Sequence, residues 1–265
     1  MAKKNNPNHV MTGIRYNLGN GGPIRLVPIG DIHVGDRHAD LKMVEAMIEK
    51  IRADSDCYAV LCGDLMNTAI QGGKSDIYHE EMPPEDQIDT CAELLDPIKD
   101  RILAITPGNH EERISKQAGA DTTRRLASEL GLKSVYRPEA ALVYIRTGKS
   151  RHGSHIVYSL YINHGHGGGG RRAGSKFNSL QDLGYVIDAD IIIAGHTHMP
   201  GTFRTSQIRC IPQTGTADIH EQVFVNTASS LRYGGYGMRG GYQPPSNRYP
   251  IIELSGTEKD IKVTL

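Results

Sequence analysis

Asp31, His33, Asp64, Asn109, His164, His196 and His198 offer oxygen or imidazole nitrogen to a divalent cation, and these seven residues fall in five short clusters. In Asp31-Ile32-His33 an extended backbone projects residues two apart to one side, so a carboxylate and an imidazole can reach the same ion. Gly63-Asp64 adds a carboxylate with two oxygens, enough to bridge two cations. Gly108-Asn109-His110 supplies a neutral amide carbonyl and, beside it, an imidazole suited to acid, base or electrostatic work. Asn163-His164-Gly165-His166 sets two imidazoles next to glycine, and Gly195-His196-Thr197-His198 repeats the His-x-His spacing. Each cluster alone has an ordinary explanation, because Gly-Asp is common in turns and His in loops. Together they provide three carboxylate or amide groups and four imidazoles, a set that can hold two ions and leave positions for water and substrate.

Every cluster directly follows an apolar run that reads as a β-strand: residues 24–29, 58–62, 101–106, 156–163 and 190–194. Strands of an open α/β sheet deliver their carboxyl ends to one edge, so distant clusters converge in space. Leu41, Val44, Ile48 and Ile51 share one face of a helix over residues 39–51, and Pro83 or Pro84 starts another that runs to about Leu95. Further helices are expected over residues 122–130, closed by Gly131, and over residues 175–186. Residues 141–146 and 156–163 alternate with period two, as half-buried antiparallel strands do. Beyond Gly201 short strands and turns are expected. Residues 232–250, rich in Gly, Tyr and Arg, read as a long loop, with a stacking surface for nucleic acid as the alternative. Without internal repeats or a Pro/Ser linker, residues 1–265 are expected to form one domain, with 1–20 a flexible or peripheral segment.

The composition sets outer limits. At 265 residues with 38% hydrophobic, the chain can bury a substantial core, and 30 basic against 30 acidic residues leave no global basic field to gather nucleic acid. Cys57, Cys62, Cys91 and Cys210 show no CxxC spacing and read as core packing. The polar opening Met1–Asn8 leads into no apolar stretch of signal or membrane-span length, so a cytoplasmic protein without membrane partners is expected.

The order Asp-x-His, Gly-Asp, Gly-Asn-His, His, Gly-His-x-His, from residue 31 to residue 198, closely resembles the calcineurin-like metallophosphoesterase superfamily. That resemblance implies an α/β fold, a four-layer α-β-β-α sandwich of two mixed sheets flanked by helices. It implies Asp31, His33 and His198 on one metal, Asn109, His164 and His196 on the other, and Asp64 bridging them. The cofactors it implies are two divalent ions, Mn²⁺ foremost with Fe, Zn or Ni as alternatives. Such a pair, about 3.5 to 4 Å apart, clamps a phosphoryl group while a bridging hydroxide attacks phosphorus in line. His110 would be catalytic, neutralising developing charge or protonating the leaving group.

His33 is followed by Val34-Gly35, where protein Ser/Thr phosphatases carry Gly directly. The spacing looks more like the nuclease subunit of double-strand-break repair complexes and related phosphodiesterases. A phosphodiesterase or nuclease acting on nucleic acid or a nucleotide is therefore expected. A phosphomonoesterase or protein phosphatase is the alternative, and a non-catalytic scaffold on the same fold the remote one. Asn226-Thr227-Ala228-Ser229 stands where many relatives carry Asn-Pro-Gly-Ser. The glycine run 167–170 followed by Arg171 and Arg172 can cradle phosphate, and His166 lies two residues past a ligand, so these three side chains are the candidate substrate contacts.

Overall fold

Aliphatic runs make the inner strands and amphipathic helices cover them in a computed structural model that describes residues 10–19, 21–71, 77–167 and 172–265. In chain order the strands are β1 (Ile14–Asn17), β2 (Ile24–Ile29), β3 (Cys57–Cys62), β4 (Ile102–Thr106), β5 (Ala140–Lys149) and β6 (His155–Asn163). They continue as β7 (Ile191–Ala194), β8 (Gly201–Ile211), β9 (Thr216–Asn226), β10 (Ile251–Leu254) and β11 (Ile261–Thr264). The helices are α1 (Leu41–Ala53), α2 (Pro84–Leu95), α3 (Asn109–Ala118), α4 (Thr122–Glu129), α5 (Ala173–Val186) and the short α6 (Gly235–Arg239).

The strands form two mixed sheets, a six-stranded one ordered β1-β5-β6-β7-β9-β8 and a five-stranded one ordered β11-β10-β2-β3-β4. Leu26 and Val60 of the smaller sheet meet Val143, Ile193 and Val225 of the larger in a core between the sheets. On the outer face of the smaller sheet, Val27 and Leu61 pack against Val44 and Ile51 of α1, Cys91 of α2 and Leu126 of α4. On the outer face of the larger, Ile192 and Phe224 pack against Leu180 and Leu183 of α5. The layers therefore run α-β-β-α. Strands buried on both faces carry unbroken apolar sequence, and each fully buried aliphatic side chain adds about 1.5–3 kcal/mol to the sandwich.

This topology positions the site. β2, β3 and β4 are parallel neighbours, as are β6, β7 and β9. Six carboxyl ends thus open on one rim, and Asp31, Asp64, Asn109, His164, His196 and Thr227 each follow one of them.

Some elements differ from the sequence expectation. Ile14–Asn17, in the segment expected to be flexible or peripheral, is peripheral but paired, an edge strand parallel to β5 with the Tyr16 hydroxyl donating to the Leu103 carbonyl at 2.7 Å. β8 and β9 are eleven-residue partners in one long hairpin rather than short strands, and Ile208 faces Ile219 on its exposed outer half. Cys57, Cys62 and Cys91 are buried, but Cys210 is exposed on β8, so core packing does not hold for it. Among the described residues no helix is long and apolar enough to cross a membrane.

Candidate metal centre

The backbone around the predicted ligands is held in a conformation that side chains disfavour. Among the described residues six other than glycine have left-handed φ: Asp31 (51°), His33 (55°), Asp64 (49°), Thr68 (41°), His196 (68°) and His198 (54°). Five of these are candidate ligands, and such residues cost about 1–3 kcal/mol each, which is why they gather at functional sites. The preceding glycines have a steric reason. A β-carbon on Gly195 would stand 2.6 Å from Asp31 Oδ2, and one on Gly108 would overlap the Asp64 carboxylate.

Three groups of side chains converge: Asp31, His33 and His198; Asp64, His164 and His196; and His33, Asp64 and His110. In the first, His198 Nε2 lies 3.2 Å from Asp31 Oδ1 and 3.2 Å from His33 Nε2. In the second, His164 Nε2 is 3.1 Å from Asp64 Oδ2, and Asn109 Oδ1 is 3.1 Å from His164 Nε2 and 2.7 Å from His196 Nδ1. Asp64 belongs to two groups. All seven predicted ligands are thus brought together, and His110 sits among them with Nε2 3.8 Å from Asp64 Oδ2.

The residues fit divalent ions on chemical grounds. Imidazole nitrogens converge in pairs, His33 Nε2 with His198 Nε2 at 3.2 Å and His196 Nδ1 with His164 Nε2 at 3.3 Å, and His33 Nδ1 is buried without a partner. The His164 Nδ1–H donates to the Cys62 carbonyl at 2.8 Å, which turns Nε2 toward the cluster. Burial, helped by neighbouring imidazoles, holds His33 well below the usual imidazole range, and burial also lowers His110 and His196. Burial opposes the Asp64 charge, yet His164, His110 and His33 together hold its carboxyl well below the usual range. Neutral rings and charged carboxylates are the forms that coordinate a cation.

His164 behaves differently. Burial disfavours its imidazolium, but the Asp64 carboxylate and Asp31 behind it outweigh burial and push its pKa up to about 10, from 6.5. A raised folded value means that this contribution to stability is fully present below pH 6.5 and is lost as pH rises through about 10. A cation bound at His164 must displace that proton. Chelator-treated protein is therefore expected to lose melting temperature as pH rises across that interval, and Mn²⁺ uptake near neutral pH should release about one proton at this residue. Titration calorimetry in buffers of different ionisation enthalpy measures it, and a buffer-independent heat would count against a protonated His164.

Further residues support the site, and of these Glu111, Asn67 and Glu80 gave no sequence signal. Glu111, buried at the start of α3, accepts from the N–H groups of Gly108 (2.7 Å), Asp64 (3.0 Å) and Met66 (2.9 Å), tying two ligand loops together. Burial and the Asp64 charge push its pKa up to about 7, against the pull of those donors. Asn226-Thr227-Ala228-Ser229 also acts on the site: the Thr227 hydroxyl donates to Asp31 Oδ2 and the Ser229 hydroxyl to the Asp31 carbonyl, both at 3.2 Å. His110 is oriented by its Nδ1–H donating to the Asn67 carbonyl at 2.7 Å. The Asn67 side chain donates to Glu80, which also accepts from Gln87 Nε2 at 2.5 Å.

A cavity of about 410 Å³ opens beside these clusters, with His33, Asp64, Asn109, His110, His196 and His198 on its floor. Its walls include Arg113 of α3 and Lys176 of α5, whose Nζ donates to the Thr197 carbonyl at 2.9 Å. The sequence had pointed to other cations. Arg172 is exposed at the N-cap of α5 and does not line this cavity; His166 is exposed and lines a separate small recess behind the 195–197 loop. Arg171 and residues 168–170 lie outside the described residues. Lys176 stands one helical turn beyond Arg172, and that turn carries the cation into the site.

A four-layer sandwich with clustered Asp, Asn and His side chains at the rim of both sheets defines the class. The profile of the calcineurin-like phosphoesterase family matches residues 24–200, and the chain belongs to that family. No curated protein matches it. Solved structures similar to it include the calcineurin-like phosphoesterase YfkN of Bacillus subtilis, 16% identical with a TM-score of 0.46, covering 92% of this chain and 90% of that one. A predicted phosphoesterase of Streptococcus pneumoniae is 14% identical with a TM-score of 0.39, covering 91% and 89%. A double mutant of Vps29 from Entamoeba histolytica is 14% identical with a TM-score of 0.39, covering 91% and 97%.

Proposed function

We propose that this metallophosphoesterase is a hydrolase of phosphodiesters that works with two divalent ions, Mn²⁺ foremost. Asp31, His33 and His198 would hold one, Asn109, His164 and His196 the other, with Asp64 shared. The observation that carries the reading is Asp64 itself, a buried carboxylate common to two of the three convergent groups. When bound, such ions supply Lewis acidity that activates water at neutral pH and neutralises phosphoryl charge. Thr227 and Ser229 fix Asp31, Glu111 fixes the loops of Asp64 and Asn109, and the Asn67 carbonyl fixes the His110 ring. With Nδ1–H engaged, His110 presents Nε2 to the cavity, where it is placed to move a proton to or from an ester oxygen. Lys176 and Arg113 lie on the wall to receive phosphoryl oxygens. A diester needs room for a second ester arm, and the cavity's extension past the clusters to residues 231–245 supports that preference.

Hydrolysis of bis-p-nitrophenyl phosphate should disappear in EDTA and return when Mn²⁺ is restored. Full activity in the chelator would refute the metal requirement. A higher kcat/KM on p-nitrophenyl phosphate, measured in parallel, would reassign the protein as a phosphomonoesterase.

A further inference from the structure

Residues 231–245 form one wall of the cavity, and the fold fastens them there. Leu231 pairs with Ala39, the Asp40 N–H donates to the Ser230 carbonyl at 2.7 Å, and the Arg232 N–H donates to the His38 carbonyl at 2.8 Å. The Arg232 guanidinium grips the Asp40 carboxylate through Nε at 3.2 Å and Nη2 at 3.1 Å. The His38 ring lies directly beneath Gly234, where a methyl group would overlap it. Beyond α6 the chain turns back on itself, with the Tyr242 N–H donating to the Gly237 carbonyl at 3.0 Å. Tyr233, Tyr242 and Gln243 are thereby set on the wall of the same cavity that holds the candidate metal centre.

We infer that this wall is a nucleobase subsite, so that the substrate of the site is a nucleotide-sized phosphodiester carrying a planar aromatic base. The inference rests on the phosphodiesterase reading above. Tyrosine rings provide π-faces on which any base stacks, glycines between them allow close approach of a flat ring, and the Gln243 amide offers both a donor and an acceptor to a base edge. A cavity of about 410 Å³ falls within the roughly 300–1,000 Å³ of small-ligand sites, room for one nucleoside phosphate and none for a duplex. Lys176 and Arg113 stand on the walls of the same cavity, where a phosphoryl oxygen would be received.

Thymidine 5′-(p-nitrophenyl phosphate) and methyl p-nitrophenyl phosphate share one leaving group and differ in the nucleoside. The Mn²⁺-loaded protein should favour the thymidine ester by at least about tenfold in kcat/KM, carried by KM. In the Tyr233→Ala/Tyr242→Ala double variant that ratio should fall toward one, and Tyr233→Phe/Tyr242→Phe should keep it. Because the ratio is internal to each protein, a partly unfolded variant does not distort it. A ratio near one in the wild type, or one unchanged by the alanines, would overturn the subsite. Should neither diester be hydrolysed, the phosphodiesterase reading falls by itself. Calorimetry with thymidine 5′-monophosphate against methyl phosphate then decides the subsite, equal affinities overturning it and a preference lost in the alanine variant sustaining it.

Discussion

Replacing Asp64 with Asn should strip metal from both positions and abolish phosphodiester hydrolysis. The change is nearly isosteric, and the acceptor that receives the His110 N–H at 2.8 Å survives it, so the fold should remain intact. What disappears is the charge, together with the second oxygen 3.1 Å from His164 Nε2, now an NH₂ facing an imidazole. Loss of an outer-shell partner costs about 10–100-fold in metal affinity or activity, and loss of a carboxylate shared by two ions is expected to exceed about a thousandfold. Metal analysis after Mn²⁺ saturation, beside kcat/KM, measures both effects. A variant that keeps about two ions per chain and a tenth of the activity would show that Asp64 is not shared.

The second large effect is kinetic. His110→Ala should lower kcat by about 10²–10⁴, the range a general acid or base supplies, while metal content stays at the wild-type level. The geometry makes this a real test, because His33, Asp64 and His110 also converge closely enough to hold an ion. The His110 and His33 rings lie edge to face with centroids 4.5 Å apart. If His110 were a ligand, the alanine variant would lose an ion along with its rate. Loss of rate with both ions retained assigns it a catalytic role rather than a ligand's.

These outcomes turn on residues that differed in how readily the sequence disclosed them. The candidate ligands were legible because each cluster follows a strand-like run, most plainly at β3, β4 and β7, where a strand buried on both faces announces itself by composition. The two outer layers were legible where helices were amphipathic, as in α1 with Val44, Ile48 and Ile51 buried. α3 was not. Of its ten residues Glu111 alone is buried, so no apolar stripe marks it, although it carries Asn109, His110 and Arg113. Its buried carboxylate is paired with backbone N–H groups far along the chain, a relation that no periodicity encodes. Lys176 failed to stand out for a related reason. A lone lysine on a polar helix turn reads as solvated, and only the packing of α5 against β7 and β9 brings it beside Thr197. Residues 232–250 were correctly loop-like in composition, but their place on the cavity wall depends on the pairing of Leu231 with Ala39, nearly two hundred positions away.

Selection for stability and selection for turnover pull in opposite directions at five backbone positions. At Asp31, His33, Asp64, His196 and His198 the left-handed conformation suits glycine better than the residue present. Glycine at any of them would relieve local strain on the order of 1–3 kcal/mol while deleting a candidate ligand. A lineage, or a directed-evolution screen, rewarded only for yield or heat resistance would therefore be drawn toward an empty rim most readily at the histidines, since the Asp31 and Asp64 carboxylates also accept the His196 and His110 N–H groups. One held to catalysis must keep the disfavoured residues and recover the loss elsewhere, most readily in the core between the sheets. Glycine at these positions in a related sequence would thus mark a descendant that has given up the chemistry and kept the scaffold.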